Sequence, residues 1–161
     1  MQKNKIWPVV SGLMAVILCL GLIAVPVQAE AIAGYHEKTV TEEEAVDTWY
    51  AVGRGTYLGY GRVKIKRAGT AKVTISGGTQ ANSICDELHL ALYLDESSDN
   101  DDYGTIGVYH YSDTNNTSVS GGQADIRVTS GYYYSVRGVH TVTEGNVTET
   151  TDTCTDALTA L

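Results

Sequence analysis

Leucine stands at every second position from Leu88 to Leu94, with Glu87, His89, Ala91 and Tyr93 in between. In an extended chain successive side chains point to opposite faces, so this stretch reads as a strand with one apolar and one polar side. A sheet buried on one face and wet on the other is the habit of antiparallel sheets. The same period of two recurs along the chain. Val63 and Ile65 alternate with Arg62, Lys64 and Lys66, then Ala68-Gly69-Thr70 turns into Ala71–Ser76, and Gly77-Gly78 punctuates. After the central strand Ile84–Leu94, an acidic loop at Asp95–Gly104 leads to Thr105–Ser112. Asp113–Asn116 has turn chemistry, Ala124, Ile126 and Val128 alternate, and the runs Tyr132–Val142 and Val147–Cys154 close the set. About seven strands at near-regular spacing predict an all-β fold, an antiparallel β-sandwich. The strands have no ten-residue helical patterns between them, which argues against a parallel βαβ sheet.

The amino terminus carries an address. Lys3 and Lys5 precede an apolar run from Val9 to Val25, and Val27-Gln28-Ala29 supplies the small residues of a cleavage site. The expectation is a signal peptide over 1–29, forming a short helix, and secretion after cleavage near Ala29, with the membrane met only during export. Residues 30–52 form an acidic leader. Thr41 followed by Glu44 fits a capping box, and Ala45, Val46 and Trp49 would line one face of a short helix. The β-sandwich domain then spans 53–161.

Removal of the signal leaves 132 of 161 residues, enough for one domain with a real core. It takes two of the eleven Lys and Arg and none of the nineteen Asp and Glu, so nine bases face nineteen acids, a net −10. Such a surface repels nucleic acid and anionic lipid. The mature part has no proline and no phenylalanine, but all eleven tyrosines. Its two cysteines, Cys85 and Cys154, are expected to form a disulfide in an oxidising compartment, closing a loop of about 70 residues.

The carboxy-terminal hairpin can be given a register. A two-residue loop at Glu144-Gly145 would set His140 opposite Glu149, Arg137 opposite Asp152 and Val142 opposite Val147. Val136 and Val142 then share a face opposite to Val139 and Cys154, and Gly138 would mark a bulge that switches sides. Which face is buried stays open.

Several segments together carry a likeness: Arg54-Gly55-Thr56-Tyr57-Leu58, the strand around Cys85, Tyr133-Tyr134-Ser135-Val136-Arg137-Gly138-Val139-His140, and Glu149-Thr150 with Thr153-Cys154-Thr155-Asp156. The chain resembles a domain-of-unknown-function family of small secreted proteins from Firmicutes, over about residues 53–160. Ser135 stands where relatives often carry a basic residue. The resemblance implies a secreted Gram-positive protein with a compact β domain, and it implies no activity.

Chemistry-bearing clusters are sparse. Asp95, Asp99 and Asp101 are weak calcium candidates, because Tyr103 and His110 fall where a calcium loop wants oxygen ligands, and a solvated hairpin tip is the simpler reading. His36, His89, His110 and His140 show no zinc spacing. No nucleophile elbow is present, and no cofactor is expected. Tyr93, Tyr109 and Tyr111 could form a binding surface, since exposed tyrosines stack on sugars or peptide. The functional expectation is a secreted, non-enzymatic β domain for extracellular recognition or surface interaction, with a glycan, cell wall or another extracellular protein as partner. The alternatives are a small hydrolase using His140 with an acidic partner, and a structural domain of an extracellular assembly.

Overall fold

The computed structural model describes residues 39–40, 42–51 and 56–161. The expected signal peptide and its helix lie outside them, as do His36, Thr41 and Arg54-Gly55. The described residues form strands only: β1 (Thr39–Val40), β2 (Glu44–Tyr50), β3 (Leu58–Gly69), β4 (Lys72–Ser97), β5 (Gly104–Arg127), β6 (Tyr133–Glu144), β7 (Val147–Cys154) and β8 (Ala157–Thr159). They make one sheet, ordered β1-β8-β6-β4-β3-β2, with β5 beside β4 and β7 beside β6. Every pairing is antiparallel except the short parallel one between β1 and β8.

The all-β antiparallel expectation holds, but two separate sheets are not what forms. β4 runs unbroken for 26 residues through Gly77-Gly78, and β5 for 24 residues through the presumed turn at Asp113–Asn116. What looked like turns are paired in register inside two long strands, Gly77 with Val63 and Gly121, and Asn116 with Cys85. Between Gln80↔Ser118 and Cys85↔Asn116 the register slips, so Ala81–Ile84 of β4 oppose Thr117 alone. Extra residues on one strand of a pair bend the ribbon, and such corners let one sheet fold over onto itself. Before the corner β4 is flanked by β3, and after it by β6. The corner is tied down by the Asn82 N–H, which donates to the carbonyl of Tyr57 at 2.7 Å.

The two halves pack face to face. Val63, Ile65, Val73 and Ile75 come from one side and Leu88, Leu90, Leu92, Leu94, Val136 and Val142 from the other, all 0% exposed. Full burial of each such side chain contributes roughly 1.5–3 kcal/mol. Close approach needs glycine in two places. A β-carbon on Gly77 would lie 2.8 Å from Leu92, and one on Gly138 would lie 2.4 Å from Val63.

Three local expectations are corrected. The acidic leader is not a helix there: Glu44–Tyr50 is an edge strand paired with β3, from Glu44↔Lys66 to Tyr50↔Tyr60. Ala45, Asp47 and Trp49 turn inward and Val46 and Tyr50 outward, a period of two that the cluster of glutamates disguised. The β6–β7 loop is Gly145-Asn146, not Glu144-Gly145, because Gly145 takes the left-handed φ of 56° that opens this turn. Each partner therefore moves by two: His140 faces Thr151, Arg137 faces Cys154 and Val142 faces Glu149. Gly138 is not a bulge, since β6 pairs with β4 without a slip from Tyr133 to Thr143. The buried face is the one bearing Tyr134, Val136, His140 and Val142.

Candidate functional site

On the outer face of the first half the side chains step down in size. β3 presents Tyr60, Arg62 and Lys64, while the neighbouring rows of β4 and β5 offer Ser76, Gly78, Ser118, Ser120 and Gly122. Tall residues beside a floor of glycine and serine leave an open depression of about 370 Å³, lined by Tyr60, Arg62, Lys64, Ser76, Gly77 and Gly78. Tyr50 extends the wall from β2, its ring 5.9 Å from that of Tyr60 and tilted by 43°. The Lys64 ammonium pairs with Glu44 at 2.5 Å. That bond, with Lys66 and Arg62 nearby, holds the Glu44 carboxyl below its ordinary range.

This half of an acidic protein holds most of the cations among the described residues, with Arg62, Lys64 and Lys66 in one row on the outer face of β3. Seven Lys and Arg fall among the described residues, and six of them, Arg62, Lys64, Lys66, Arg67, Lys72 and Arg127, belong to this half. Flat rings beside cations over a small-residue floor offer surface for holding a ligand. Sequence reasoning saw Arg62, Lys64 and Lys66 only as the polar side of a strand. Their alternation was visible; the Ser-Gly floor beside them depends on pairings across β4 and β5.

The residues singled out from sequence are scattered. Tyr109 and Tyr111 stand opposite Leu92 and Leu90 and pack against the core, while Tyr93, opposite Val108, points to the other face. The three tyrosines therefore share no surface. The Arg137 guanidinium lies over the Tyr93 ring, 5.1 Å from its centre. Asp95 is buried and committed: its carboxylate accepts from Arg137 Nε at 2.5 Å and Nη2 at 3.1 Å, and from the Thr105 hydroxyl at 2.6 Å. Asp99 instead shapes the hairpin tip, accepting from the Ser97 hydroxyl and from the N–H groups of Asp101 and Asp102, bonds that hold its carboxyl below the usual range. Asp95 thus serves an ion pair and Asp99 a turn, and no three acids, histidines or cysteines among the described residues are grouped to hold a metal.

Cys85 and Cys154 are thiols with no bond between them. Cys154 is opposite Arg137, whose partner on β4 is Tyr93, and Cys85 lies eight residues earlier on that strand. That is about 26 Å at ~3.3 Å per residue, far beyond the reach of a disulfide. Burial pushes both thiols up, Cys154 to about 12 with Asp95 adding to the effect.

His140 and Glu149 are apart as well. The His140 ring is 0% exposed, with Nδ1 2.9 Å from the Thr79 hydroxyl and Nε2 2.8 Å from that of Thr153. Burial pulls its pKa down to about 4, against a small opposing pull from Asp47. The Glu149 carboxylate accepts the N–H groups of Leu58, Thr56 and Tyr57 at 2.7–3.0 Å, which hold it below its ordinary range. It fastens the entry to β3.

Two histidines that spacing did not connect do meet. His89 and His110 stack across β4 and β5, ring centres 5.3 Å apart, with Nε2 of the first 3.3 Å from Nδ1 of the second. The pairing Ala91↔His110 makes them diagonal neighbours. A hairpin register through the acidic tip would have shown it.

A family model described as a family of unknown function (DUF6147) matches residues 25–158. The match reaches further toward the amino terminus than the resemblance read from sequence, and takes in β1 and β2. Neither a curated protein nor a solved structure matches the chain.

Proposed function

The chain belongs to this family of unknown function, so its activity has to be argued from its own surface, and we propose that it is an exported recognition domain holding an anionic extracellular glycan in the groove of β3 and β4. The observation that carries this reading is the segregation of charge: on a protein of net charge −8, six of the seven described cations lie on one half, and three of them, Arg62, Lys64 and Lys66, stand in one row with Tyr60, beside Tyr50. Acidic sugars would meet Arg62 and Lys66, and their ring faces would lie on the tyrosines. The Gly78 and Ser76 floor would let a chain approach the backbone. Lys3, Lys5, the run Val9–Val25 and the Val27-Gln28-Ala29 site support export and cleavage near Ala29. On this reading the mature protein works outside a Gram-positive cell, where anionic wall polymers are the available partners.

The test is a binding screen of the mature chain against neutral and acidic glycans and cell-wall fragments. Acidic ligands should bind, with affinity falling as salt rises. Arg62→Glu with Lys66→Glu should abolish binding, and Tyr60→Ala should weaken it, while Tyr93→Ala leaves it unchanged. Binding of neutral glycans alone, or binding indifferent to Arg62 and Lys66, would refute the proposal.

A further inference from the structure

The outer face of the second half carries a feature independent of the groove. His89 on β4 and His110 on β5 bring one nitrogen each together, Nε2 and Nδ1, 3.3 Å apart. We propose that this pair is a binding site for a divalent transition-metal ion such as Zn²⁺, Ni²⁺ or Cu²⁺.

Imidazole nitrogens bind zinc at ~2.0–2.1 Å, and two of them on neighbouring corners of a tetrahedron are then about 3.3 Å apart. The observed separation has that length. Two strands of one register hold both rings, so the spacing is set by the sheet and not by a flexible loop. His89 is half-buried between its neighbours and His110 is exposed, which leaves one side of the pair open to solvent. In the metal-free protein one ring donates its N–H to the other. Metal binding moves that proton to the second nitrogen of the same ring, and the rings turn so that both lone pairs converge on the ion. Imidazole is a ligand suited to zinc, copper and nickel rather than to calcium or magnesium. With two protein ligands, water fills the remaining positions, so the expected affinity is micromolar. Glu87 lies two residues before His89 on the same face of β4.

Titration calorimetry of the mature chain with ZnCl₂ and NiCl₂, after chelator treatment, tests the site. One ion should bind per chain, and His89→Ala or His110→Gln should each weaken binding at least tenfold, with an unchanged far-ultraviolet spectrum. In two-dimensional NMR the ring signals of His89 and His110 should move on adding zinc, while those of buried His140 stay. No binding at millimolar zinc would overturn the proposal. Binding that persists in both variants would also overturn it, because it would place the ion elsewhere, at His36 or the acidic tip.

Discussion

A β-carbon on Gly61 would lie 2.4 Å from the ring of His140, so the backbone of β3 and the imidazole of β6 occupy the last space between the two halves of the sheet. The contact holds a buried polar side chain in place, with Thr79 and Thr153 satisfying its nitrogens. Gly61→Ala should therefore destabilise the protein by about 1–3 kcal/mol, as overpacking does. Urea unfolding would measure it, with Gly104→Ala, where an added β-carbon meets nothing within 4 Å, as the control.

His140 also predicts a pH dependence. Unfolded, it takes up a proton near 6.5; folded, only near about 4. The unfolded state thus binds more protons in that interval, and stability rises with pH across it. The contribution is full above about 6.5, is lost as pH falls through the window, and amounts to roughly 3 kcal/mol. Thermal melts from pH 7.5 to 4 should show the fall, and a His140→Gln variant should show a flatter profile.

Asp95 is 2% exposed and relies on Arg137. Removing only the cation leaves a buried carboxylate unpaired, so Arg137→Leu should cost about 3–5 kcal/mol. Replacing both, Arg137→Leu with Asp95→Leu, should recover much of that loss. Comparison of the wild type, Arg137→Leu, Asp95→Leu and the double variant by chemical denaturation gives the coupling directly.

The thiols should behave as two shielded groups. In native protein at pH 8, a thiol-specific reagent should label Cys85 and Cys154 slowly, since burial pushes both pKa values up. In denaturant both should react within minutes, without prior reduction. Mass mapping that finds the two joined would contradict the arrangement of β4 and β7.

Much of the fold was legible because its strongest cue is local. The alternation of Leu88, Leu90, Leu92 and Leu94 named the inner face correctly, and Val63, Ile65, Val73 and Ile75 named its opposite. What failed depends on pairing at a distance. Gly77-Gly78 resembles a chain break, yet it lies inside β4, where the Leu92 side chain leaves Gly77 no room for a β-carbon. Ala45, Val46 and Trp49 suit a helix as well as a strand until β3 stands beside them. The hairpin of β6 and β7 was recognised, but its register turned on which of two residues takes the left-handed position. The candidate groove was the least visible feature, because its wall and floor come from four strands, β2 to β5, that meet only in the folded sheet.

The corner at Ala81–Ile84 has one further result. Because β4 and β5 pass through it into both halves, neither half owns a complete set of strands. A fluctuation that frees β3 from one side strips the shared ribbon of support on the other. Amide hydrogens of Val73 and Leu92, on opposite sides of the corner, should therefore exchange with solvent through the same global opening, at the same free energy. A nick in the Ala81–Ile84 segment would separate two fragments with no independent existence, although an ordinary surface loop can be cut without such loss.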